Sequence, residues 1–297
     1  MLHTQNFFID NERIGNIISS AIDEDLNQGD ITTELLIPEN LHGDALITAK
    51  DSGTIAGGKI AEMVFKEVSP SLEFRLFIED GNRTSPGDTI ATVSGSINCI
   101  LKAERIALNF LQRLSGIATA TSRYVDEISN PRIKIMDTRK TTPGLRLLEK
   151  YAVYIGGGVN HRFHLGERIL IKDNHLTALR RLGLSLKDTV RKAKNQAGKG
   201  ETVEVEVGTR EEASEAVQGG ADIILLDNMA PDDIKSVLSL IPKHVIIEVS
   251  GGITIDNIRS IAMPGVDRIS IGVLTHSVKA LDISLELVPE SIRDADL

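Results

Sequence analysis

The spacing of apolar residues changes near residue 132, and the rest of the chain follows a regular rhythm. Short apolar runs alternate there with segments whose apolar residues recur at helical spacing. This alternation predicts βα units around a parallel sheet or barrel. The predicted strands are residues 132–137, 168–172, 202–207, 222–227, 245–250 and 268–272, and the predicted helices are residues 177–196, 210–218, 231–240 and 254–262.

The first 128 residues have a different pattern. Apolar positions from Ile14 to Leu26 recur at helical spacing, and residues 41–100 contain short apolar runs separated by turn signals such as SPGD at residues 85–88. These features predict an early helix and then a small antiparallel sheet with helices. Residues 102–128 predict one long helix, or two helices joined near Gly116, that links two domains.

The composition is that of an ordinary globular protein. Of the 297 residues, 41% are hydrophobic and 25% are charged, which provides enough apolar material for a sizeable core. The formal net charge of -9 argues against broad binding to nucleic acid or to an anionic membrane. Cys99 is the only cysteine, which excludes an intrachain disulfide and a cysteine-based zinc site. Because the opening residues also lack a secretory signal and no run is long enough to span a bilayer, we expect a cytoplasmic protein.

Charged residues and glycines are concentrated where the predicted strands end. The carboxyl ends of parallel barrel strands meet at one mouth, where reactive side chains collect. A single charge at a strand end is more often a solvated loop residue or a salt-bridge partner. Six coincident strand ends favour a functional site, because so many charges at one mouth destabilise a purely structural barrel. The positions are Asp137 with Arg139 and Lys140, Lys172 with Asp173 and Asn174, Glu206, Asp227, Ser250 with Gly251 and Gly252, and Gly272.

Two loops supply most of the cations. Residues 137–144 place Arg139 and Lys140 in a hydroxyl-rich loop, and residues 156–162 place His161 and Arg162 beside a run of glycines. Guanidinium groups suit bidentate recognition of carboxylate or phosphate, while lysine acts as a point charge. The sequence therefore predicts a polyanionic ligand.

The segment Ser250-Gly251-Gly252 is a candidate phosphate loop. It follows an apolar strand and precedes a helical pattern, so its backbone N–H groups and the helix N-terminus could bind a phosphate. Late barrel strands followed by glycine, as at Gly272, commonly form such a site. A simple tight turn is the alternative interpretation.

Glu206 and Asp227 are the acidic residues of the predicted site. Two carboxylates on neighbouring strands can hold Mg²⁺, accept hydrogen bonds from sugar hydroxyls, or pair with the nearby cations. Glu204 shares its strand face with Glu206, so spacing does not decide which of them acts. His164 and His175 look like ordinary loop histidines, and no two histidines have a metal-ligand spacing.

The segments DTRKTTPG (137–144), GGGVNHR (156–162) and LIKDNH (170–175) resemble the quinolinate phosphoribosyltransferase family. The resemblance extends to shorter motifs between residues 24 and 277 and covers essentially the whole chain. It implies an α/β fold, with an N-terminal α/β sandwich at residues 1–115 that the C-terminal segment 275–297 joins, and an incomplete α/β (TIM-like) barrel at residues 116–274. It also implies an activity, in which quinolinate and phosphoribosyl pyrophosphate give nicotinate mononucleotide, carbon dioxide and pyrophosphate.

The resemblance assigns roles position by position. Lys140, Lys172, Glu206 and Asp227 are the expected catalytic residues, with Glu206 and Asp227 binding Mg²⁺ or the ribose hydroxyls, and Lys140 facing the pyrophosphate. The other expected substrate contacts are Arg105, Arg139, His161, Arg162 and Lys172 around the two carboxylates of quinolinate, Ser250, Gly251, Gly252 and Gly272 at the 5′-phosphate, and Thr138 and Ser270.

The resemblance also implies a homodimer, or a larger assembly such as a hexamer, whose active site takes an arginine from the neighbouring subunit. By motif match that arginine is Arg105, which the sequence pattern alone would identify as a helix-surface charge.

Two alternative functions remain open at this stage. In a lyase-type barrel Lys172 would form a Schiff base, but such an enzyme does not need the surrounding arginines. A non-enzymatic or transport-associated homologue, like the related sequences found beside molybdate transporters, would be expected to lose part of the cation set. Arg105, Arg139, Arg162 and Lys172 are all present, which favours the enzyme.

Overall fold

The computed structural model describes residues 11–128 and 130–294, without the side chain of residue 11. Contacts between Cα atoms divide the chain into two compact units. The first unit runs to Ser122 and also contains Thr141–Gly157 and the chain from Ser277. The second unit contains Arg123–Lys140 and Gly158–His276.

Helices and strands follow two successive patterns. Up to residue 128 the order is α1 (Asn11–Leu26), α2 (Ile31–Leu36), β1 (Leu41–Ala49), β2 (Gly53–Thr54), α3 (Gly58–Val68), β3 (Glu73–Leu76), β4 (Arg83–Thr84), β5 (Thr89–Ser96) and α4 (Ile97–Ile128). It continues with β6 (Lys134–Met136), α5 (Arg146–Ile155), β7 (Ile169–Ile171), α6 (Asp173–Arg180), α7 (Leu186–Gln196), β8 (Val203–Val207), α8 (Arg210–Gly219), β9 (Ile223–Asp227), α9 (Pro231–Leu238), β10 (Ile246–Ser250), α10 (Ile258–Ile261), β11 (Arg268–Ser270) and α11 (Val273–His276). The last elements are β12 (Ile283–Leu287), a 3-10 helix at Pro289–Ser291 and β13 (Arg293–Asp294). None of the helices in the described ranges is both long and apolar enough to cross a membrane.

The first unit contains the predicted antiparallel sheet, with strand order β12-β1-β5-β3 and β13 also paired with β1. Ala45 of β1 lies opposite Val93 on one side and Leu287 on the other. From Gly43 onward alternate residues of β1 are buried, as expected for a strand with one face on a core. β12 thus brings the C-terminal part of the chain back into the sheet of the first unit.

The second unit contains a six-stranded sheet with the order β6-β11-β10-β9-β8-β7, in which every ladder is parallel. The six predicted strands are all confirmed, each within two residues of its predicted ends at most. β8 and β9 are buried along nearly their whole length, as strands covered on both faces should be. β6 and β7 are the two edges of this sheet, as in an incomplete α/β barrel.

Two predicted helices differ from the observed ones because local hydrogen bonds end the helical pattern. The predicted helix 177–196 is two helices, α6 and α7, separated near Gly183, which has φ +78. Ser185 then caps α7 by accepting the N–H of Asp188. The predicted helix 254–262 is reduced to the four residues of α10, because the Asn257 side chain bonds Thr254 N–H and Gly252 C=O instead of continuing a helix.

The limits of the two contact units differ from residue 115, and the domain division that the resemblance implies stays a prediction. α4 is one continuous helix of 32 residues, so that boundary falls inside it. Residues 141–157 group with the first unit because α5 packs there. The Tyr151 hydroxyl donates to Asp80 at 2.6 Å, and a Cβ added to Gly156 would lie 2.5 Å from the backbone oxygen of Ala118.

We predict that Gly116→Ala destabilises the protein although alanine favours helices. A Cβ at Gly116 would lie 2.3 Å from the backbone oxygen of Lys279, so the packing must open, at a cost of about 1–3 kcal/mol. Gly15→Ala in α1 is the matched control, because no atom of residues 11–128 or 130–294 outside the adjoining helix backbone lies within 4 Å of its added Cβ, and it should gain about 0.5–1 kcal/mol. Chemical unfolding of both variants measures the difference, and equal stabilisation by the two would contradict the close approach at Gly116.

Candidate active site

A cavity of about 470 Å³ lies at the carboxyl ends of the parallel strands in the second unit. Parallel pairing places the loops that follow β6 to β11 around one mouth. The predicted site residues among its lining are Thr138, Arg139, Lys140, His161, Arg162, Lys172, Glu206, Asp227, Ser250, Gly251, Gly252 and Ser270, and Leu170, Leu225, Asn228 and Glu248 complete it.

Two predicted site residues are not part of that lining. Gly272 supports the site, because a Cβ there would lie 3.3 Å from the Lys140 side chain and 3.1 Å from the His276 ring. Arg105 belongs to α4 of the first unit, where its side chain is 61% exposed and lies 3.7 Å from Glu104.

Asp137, at the end of β6, is fully buried and holds the loop that carries His161. Its carboxylate accepts the backbone N–H of His161 at 2.8 Å and the side-chain amide of Asn160 at 2.7 Å. Val159 adds an isolated parallel bridge to Met136. Asp137 therefore joins the two cationic loops to each other, a role that its position at a strand end did not reveal.

Lys140 is held through its backbone, which leaves its exposed side chain at the mouth of the cavity. Its N–H donates to the Thr138 hydroxyl at 3.0 Å, and its C=O accepts the Thr275 hydroxyl at 2.8 Å. Fixing the backbone orients a flexible ammonium group without using its charge.

Arg139 and Arg162 bring two guanidinium groups to the same cavity. Burial lowers the pKa of Arg162, the charges of Arg139 and Arg168 lower it further, and only the carboxylates of Glu204 and Glu167 oppose them. Arg162 Nη1 donates to the C=O of Arg168 at 2.8 Å. Two cations that repel each other at a cavity are stabilised by a bound anion.

His161 lies between two buried carboxylates, Glu204, which the sequence left as an alternative to Glu206, and Glu248, which sequence reasoning missed. Its Nε2 is 3.4 Å from Glu204 and 3.4 Å from Glu248, and its Nδ1 accepts the Arg162 N–H at 2.8 Å. Burial lowers the pKa of His161, whereas the hydrogen bonds and charges of Glu204 and Glu248 raise it. The Arg162 N–H opposes that rise, because a nitrogen that accepts a hydrogen bond carries no proton. The geometry is that of the neutral ring with its proton on Nε2.

Lys172, Glu206 and Asp227 line the same cavity. Lys172 is the N-cap residue of α6, and its ammonium lies 3.4 Å from Glu206. Burial raises the pKa of Glu206, Lys172 lowers it, and the charge of Asp227 raises it further. Carboxylates that disfavour each other's charge are a suitable donor set for a hard cation such as Mg²⁺.

Asn228 is a lining residue that the motif analysis left without a role. Its φ of +53 is unusual for a residue other than glycine, although asparagine tolerates it best. Its amide donates to the Asp227 carboxylate at 2.7 Å, and its N–H donates to the Ser250 C=O at 2.9 Å. A Cβ at Gly251 would lie 2.3 Å from the Asn228 side chain, so the glycine turn and Asp227 are packed together.

The glycine turn has the backbone of an anion-binding loop, but its helix lies further along the chain than predicted. Gly251 and Gly252 have φ +85 and +63, values that favour glycine. α10 begins only at Ile258, so the N–H groups of the turn, and not a helix terminus, are the donors available to an anion here. The Ser270 hydroxyl is directed at Glu248, to which it donates a short hydrogen bond.

We predict that Glu206→Gln raises thermal stability at neutral pH. The pKa of Glu206 in the folded protein is above its ordinary value of 4.5, so ionising this carboxyl destabilises the fold as pH rises from 4.5 through the raised pKa. The variant lacks this ionisation, and its melting temperature should exceed the wild-type value at neutral pH. The difference should shrink on acidification below 4.5, and a difference that is constant across the pH series would contradict the raised pKa.

Comparison with known proteins agrees with the motifs. The model for the N-terminal domain of quinolinate phosphoribosyl transferase matches residues 30–115, and the model for its C-terminal domain matches residues 117–286. A protein of Bacillus subtilis named probable nicotinate-nucleotide pyrophosphorylase (carboxylating) is 43% identical over 264 residues, which cover 89% of this chain and 90% of that protein.

A plant protein and a crystal structure are similar to the chain over comparable lengths. The mitochondrial quinolinate phosphoribosyltransferase (decarboxylating) 2 of Nicotiana glauca is 41% identical over 293 residues, with 92% of this chain and 82% of that protein covered. The crystal structure of NadC from Streptococcus pyogenes matches with a TM-score of 0.88 at 38% identity, covering 94% of this chain and 99% of that one. The chain belongs to the quinolinate phosphoribosyltransferase family.

Proposed function

We propose that this chain transfers the phosphoribosyl group of phosphoribosyl pyrophosphate to the ring nitrogen of quinolinate, giving nicotinate mononucleotide, pyrophosphate and carbon dioxide in de novo NAD biosynthesis. The observation that carries the proposal is the single cavity that combines Arg139, Arg162 and Lys172 with the carboxylates of Glu206 and Asp227. The names of the Bacillus subtilis and Nicotiana glauca relatives support the same reaction.

Quinolinate is a dicarboxylate, and the cationic side of the cavity suits it. Arg139, Arg162 and Lys172, with His161 beside them, bind its two carboxylates. The repulsion that lowers the pKa of Arg162 is relieved when a dianion lies between the guanidinium groups. Nicotinate has one carboxylate and relieves less of this repulsion. The same geometry therefore accounts for a preference for quinolinate over nicotinate.

The ribosyl donor occupies the other part of the cavity. Its 5′-phosphate binds at the turn of Ser250, Gly251 and Gly252, with Ser270 at the end of β11 and Gly272 just after it. Lys140, with Thr138 beside it, faces the pyrophosphate. The fixed backbone of Lys140 and the positive φ values of the turn support these roles.

Glu206 and Asp227 fit a magnesium ion by their chemistry, because both offer carboxylate oxygens at the cavity and the charge of each disfavours that of the other. They would hold the ion directly, through water or through the substrate. When bound, Mg²⁺ supplies positive charge where the pyrophosphate leaves. The same two carboxylates accept hydrogen bonds from the ribose hydroxyls.

The site residues act by positioning the two substrates and by stabilising the charge that develops during the reaction. The bond from the anomeric carbon to pyrophosphate breaks as the pyridine nitrogen attacks, and Glu206 and Asp227 stabilise the positive charge that develops on the ribose. The neighbouring carboxylate then leaves as carbon dioxide, its bonding electrons remain on the ring carbon beside the positive nitrogen, and that carbon takes a proton. No covalent enzyme intermediate is required, so Lys172, whose ammonium pairs with Glu206, serves as a cation and not as a Schiff-base amine.

We further propose a homodimer, or a larger assembly built from it, in which Arg105 completes the partner's site. The exposed side chain of Arg105 supports this assignment. α2 presents Ile31, Leu35 and Leu36 with exposures of 69%, 76% and 71%, and such an apolar face on a short helix suits a subunit interface. The Lys102–Glu34 pair at 3.0 Å joins α2 to α4 one turn before Arg105.

We also propose that the enzyme works in the cytoplasm. Cys99 is its only cysteine, so its stability does not depend on an oxidising compartment.

The decisive assay follows nicotinate mononucleotide and pyrophosphate with quinolinate, phosphoribosyl pyrophosphate and Mg²⁺. We expect product from quinolinate but not from nicotinate, and loss of turnover when a chelator removes the metal, with recovery when Mg²⁺ is returned. A well-folded assembly that forms no product would instead favour the non-enzymatic homologue. Borohydride trapping with a carbonyl substrate would label Lys172 only if the Schiff-base alternative were right.

The shared site predicts complementation between two inactive variants. Arg105→Ala and Lys140→Ala subunits should each lose most activity, because each lacks a cation that contacts an anionic substrate. Mixed in equal amounts, they should recover about a quarter of the wild-type activity, since a symmetric dimer with shared sites then has one intact site in each heterodimer. Absence of recovery despite confirmed subunit exchange would contradict the role of Arg105 across the interface.

A further inference from the structure

Beneath the cationic side of the cavity lies a buried polar network centred on His161. Glu204 and Glu248 are fully buried on β8 and β10, and each places an oxygen 3.4 Å from Nε2 of His161. Arg168 donates to Glu204 at 3.0 Å, and Arg268 lies 3.9 Å from Glu248. Ser270 donates a further hydrogen bond to Glu248.

The charges of this network balance when His161 is neutral. Two carboxylates then face two guanidinium groups, and buried ion pairs are tolerated when opposite charges and hydrogen bonds satisfy them. The three groups are close enough to suggest a metal site, because the ligand atoms of His161, Glu204 and Glu248 lie within 4.8 Å of one another. A divalent cation would add two charges beside Arg168 and Arg268, which argues against metal and for a hydrogen-bonded network.

Both ring nitrogens of His161 are used inside the protein. Nε2 faces the two glutamates, and Nδ1 accepts the N–H of Arg162 at 2.8 Å. The ring lines the cavity, yet its polar atoms are directed at the protein and not at a ligand. His161 is therefore placed to act on the substrate through Arg162, whose backbone it holds and whose guanidinium faces the cavity.

We propose that Glu204 and Glu248 are positioning residues that keep the proton of His161 on Nε2, so that Nδ1 anchors the backbone of Arg162 for binding a substrate carboxylate. The assignment rests on the proposed function for its substrate, but the network itself does not depend on it. Replacing either glutamate by glutamine removes a negative charge and lets an amide donor face Nε2, which weakens the preference for a proton there and with it the anchor of Arg162.

Kinetics of Glu204→Gln and Glu248→Gln test the positioning role. Each should raise the KM for quinolinate by about 10- to 100-fold, the range expected when a buried hydrogen bond is lost and a binding group is displaced. Glu204→Gln should leave the KM for phosphoribosyl pyrophosphate little changed, since its partners His161 and Arg168 are not proposed contacts of that substrate. Glu248→Gln also alters the group that accepts the Ser270 hydroxyl, so the comparison of the two KM values is made on Glu204→Gln. Glu211→Gln, at an exposed carboxylate on α8, is the matched control and should match the wild type. Equal increases in both KM values of Glu204→Gln would overturn the proposal.

A double-mutant cycle tests whether the glutamates act through the histidine. His161→Gln combined with Glu248→Gln should have a KM for quinolinate no higher than that of His161→Gln alone, because the second change removes a support whose target is already absent. If the double variant raised the KM for quinolinate by the product of the two separate increases, Glu248 would act independently of His161, which contradicts the proposal.

The tautomer of His161 is a readout that needs neither activity nor a folded variant at the glutamates. A long-range proton–nitrogen NMR spectrum of the substrate-free wild-type protein at neutral pH, with the signal assigned by its loss in His161→Gln, should show Nδ1 unprotonated and Nε2 protonated. An imidazolium signal, or the opposite tautomer, would overturn the proposal, as would a stoichiometric metal ion in the purified protein that is lost in Glu248→Gln. Because no substrate is present, failure here is distinct from failure of the enzymatic assay.

Discussion

The site depends on the parallel pairing of six strands in one sheet. Parallel ladders align the carboxyl ends of β6 to β11, so the residues that follow these strands converge although they are far apart in sequence. Lys140, Lys172, Asp227 and Ser250 are brought to one cavity by this constraint alone. The almost continuous burial of β8 and β9 stabilises the sheet and keeps that edge fixed while the loops carry the chemistry.

A second constraint is the balance of charge within the sheet. The cations of the cavity would repel one another without counter-charges. Buried Glu204 and Glu248 supply part of the balance, Glu204 through His161 and Arg168 and Glu248 within the lining of the cavity. Glu206 also lines the cavity, and its raised pKa reflects burial, partial compensation by Lys172 and the charge of Asp227. The same residue types thus serve as support when fully buried and as candidate catalytic groups when partly exposed.

Much of this arrangement could be predicted from the sequence because it depends on strand-end positions. Apolar periodicity located all six parallel strands, and the polar residues directly after them included most of the cavity lining. The helix boundaries were less predictable, since Gly183 and the side chain of Asn257 interrupt patterns that are helical in their apolar spacing. Arg105 could be assigned only by resemblance, because nothing in the spacing of α4 distinguishes it from other exposed charges.

The residues that act through other residues were the hardest to predict. Glu248 lies inside an apolar strand, and its function depends on a histidine from a loop some ninety positions earlier, a pairing that no local pattern records. Asn228 is a comparable case, because its left-handed backbone and its contact with Gly251 exist only when β9 and β10 are paired. Since Asn228 also donates to Asp227, the glycine turn and this candidate catalytic carboxylate cannot move independently. Under the proposed function the glycine turn binds the 5′-phosphate and Asp227 binds the ribose hydroxyls of the same phosphoribosyl group. The pairing of β9 with β10 therefore also sets the distance between these two binding groups.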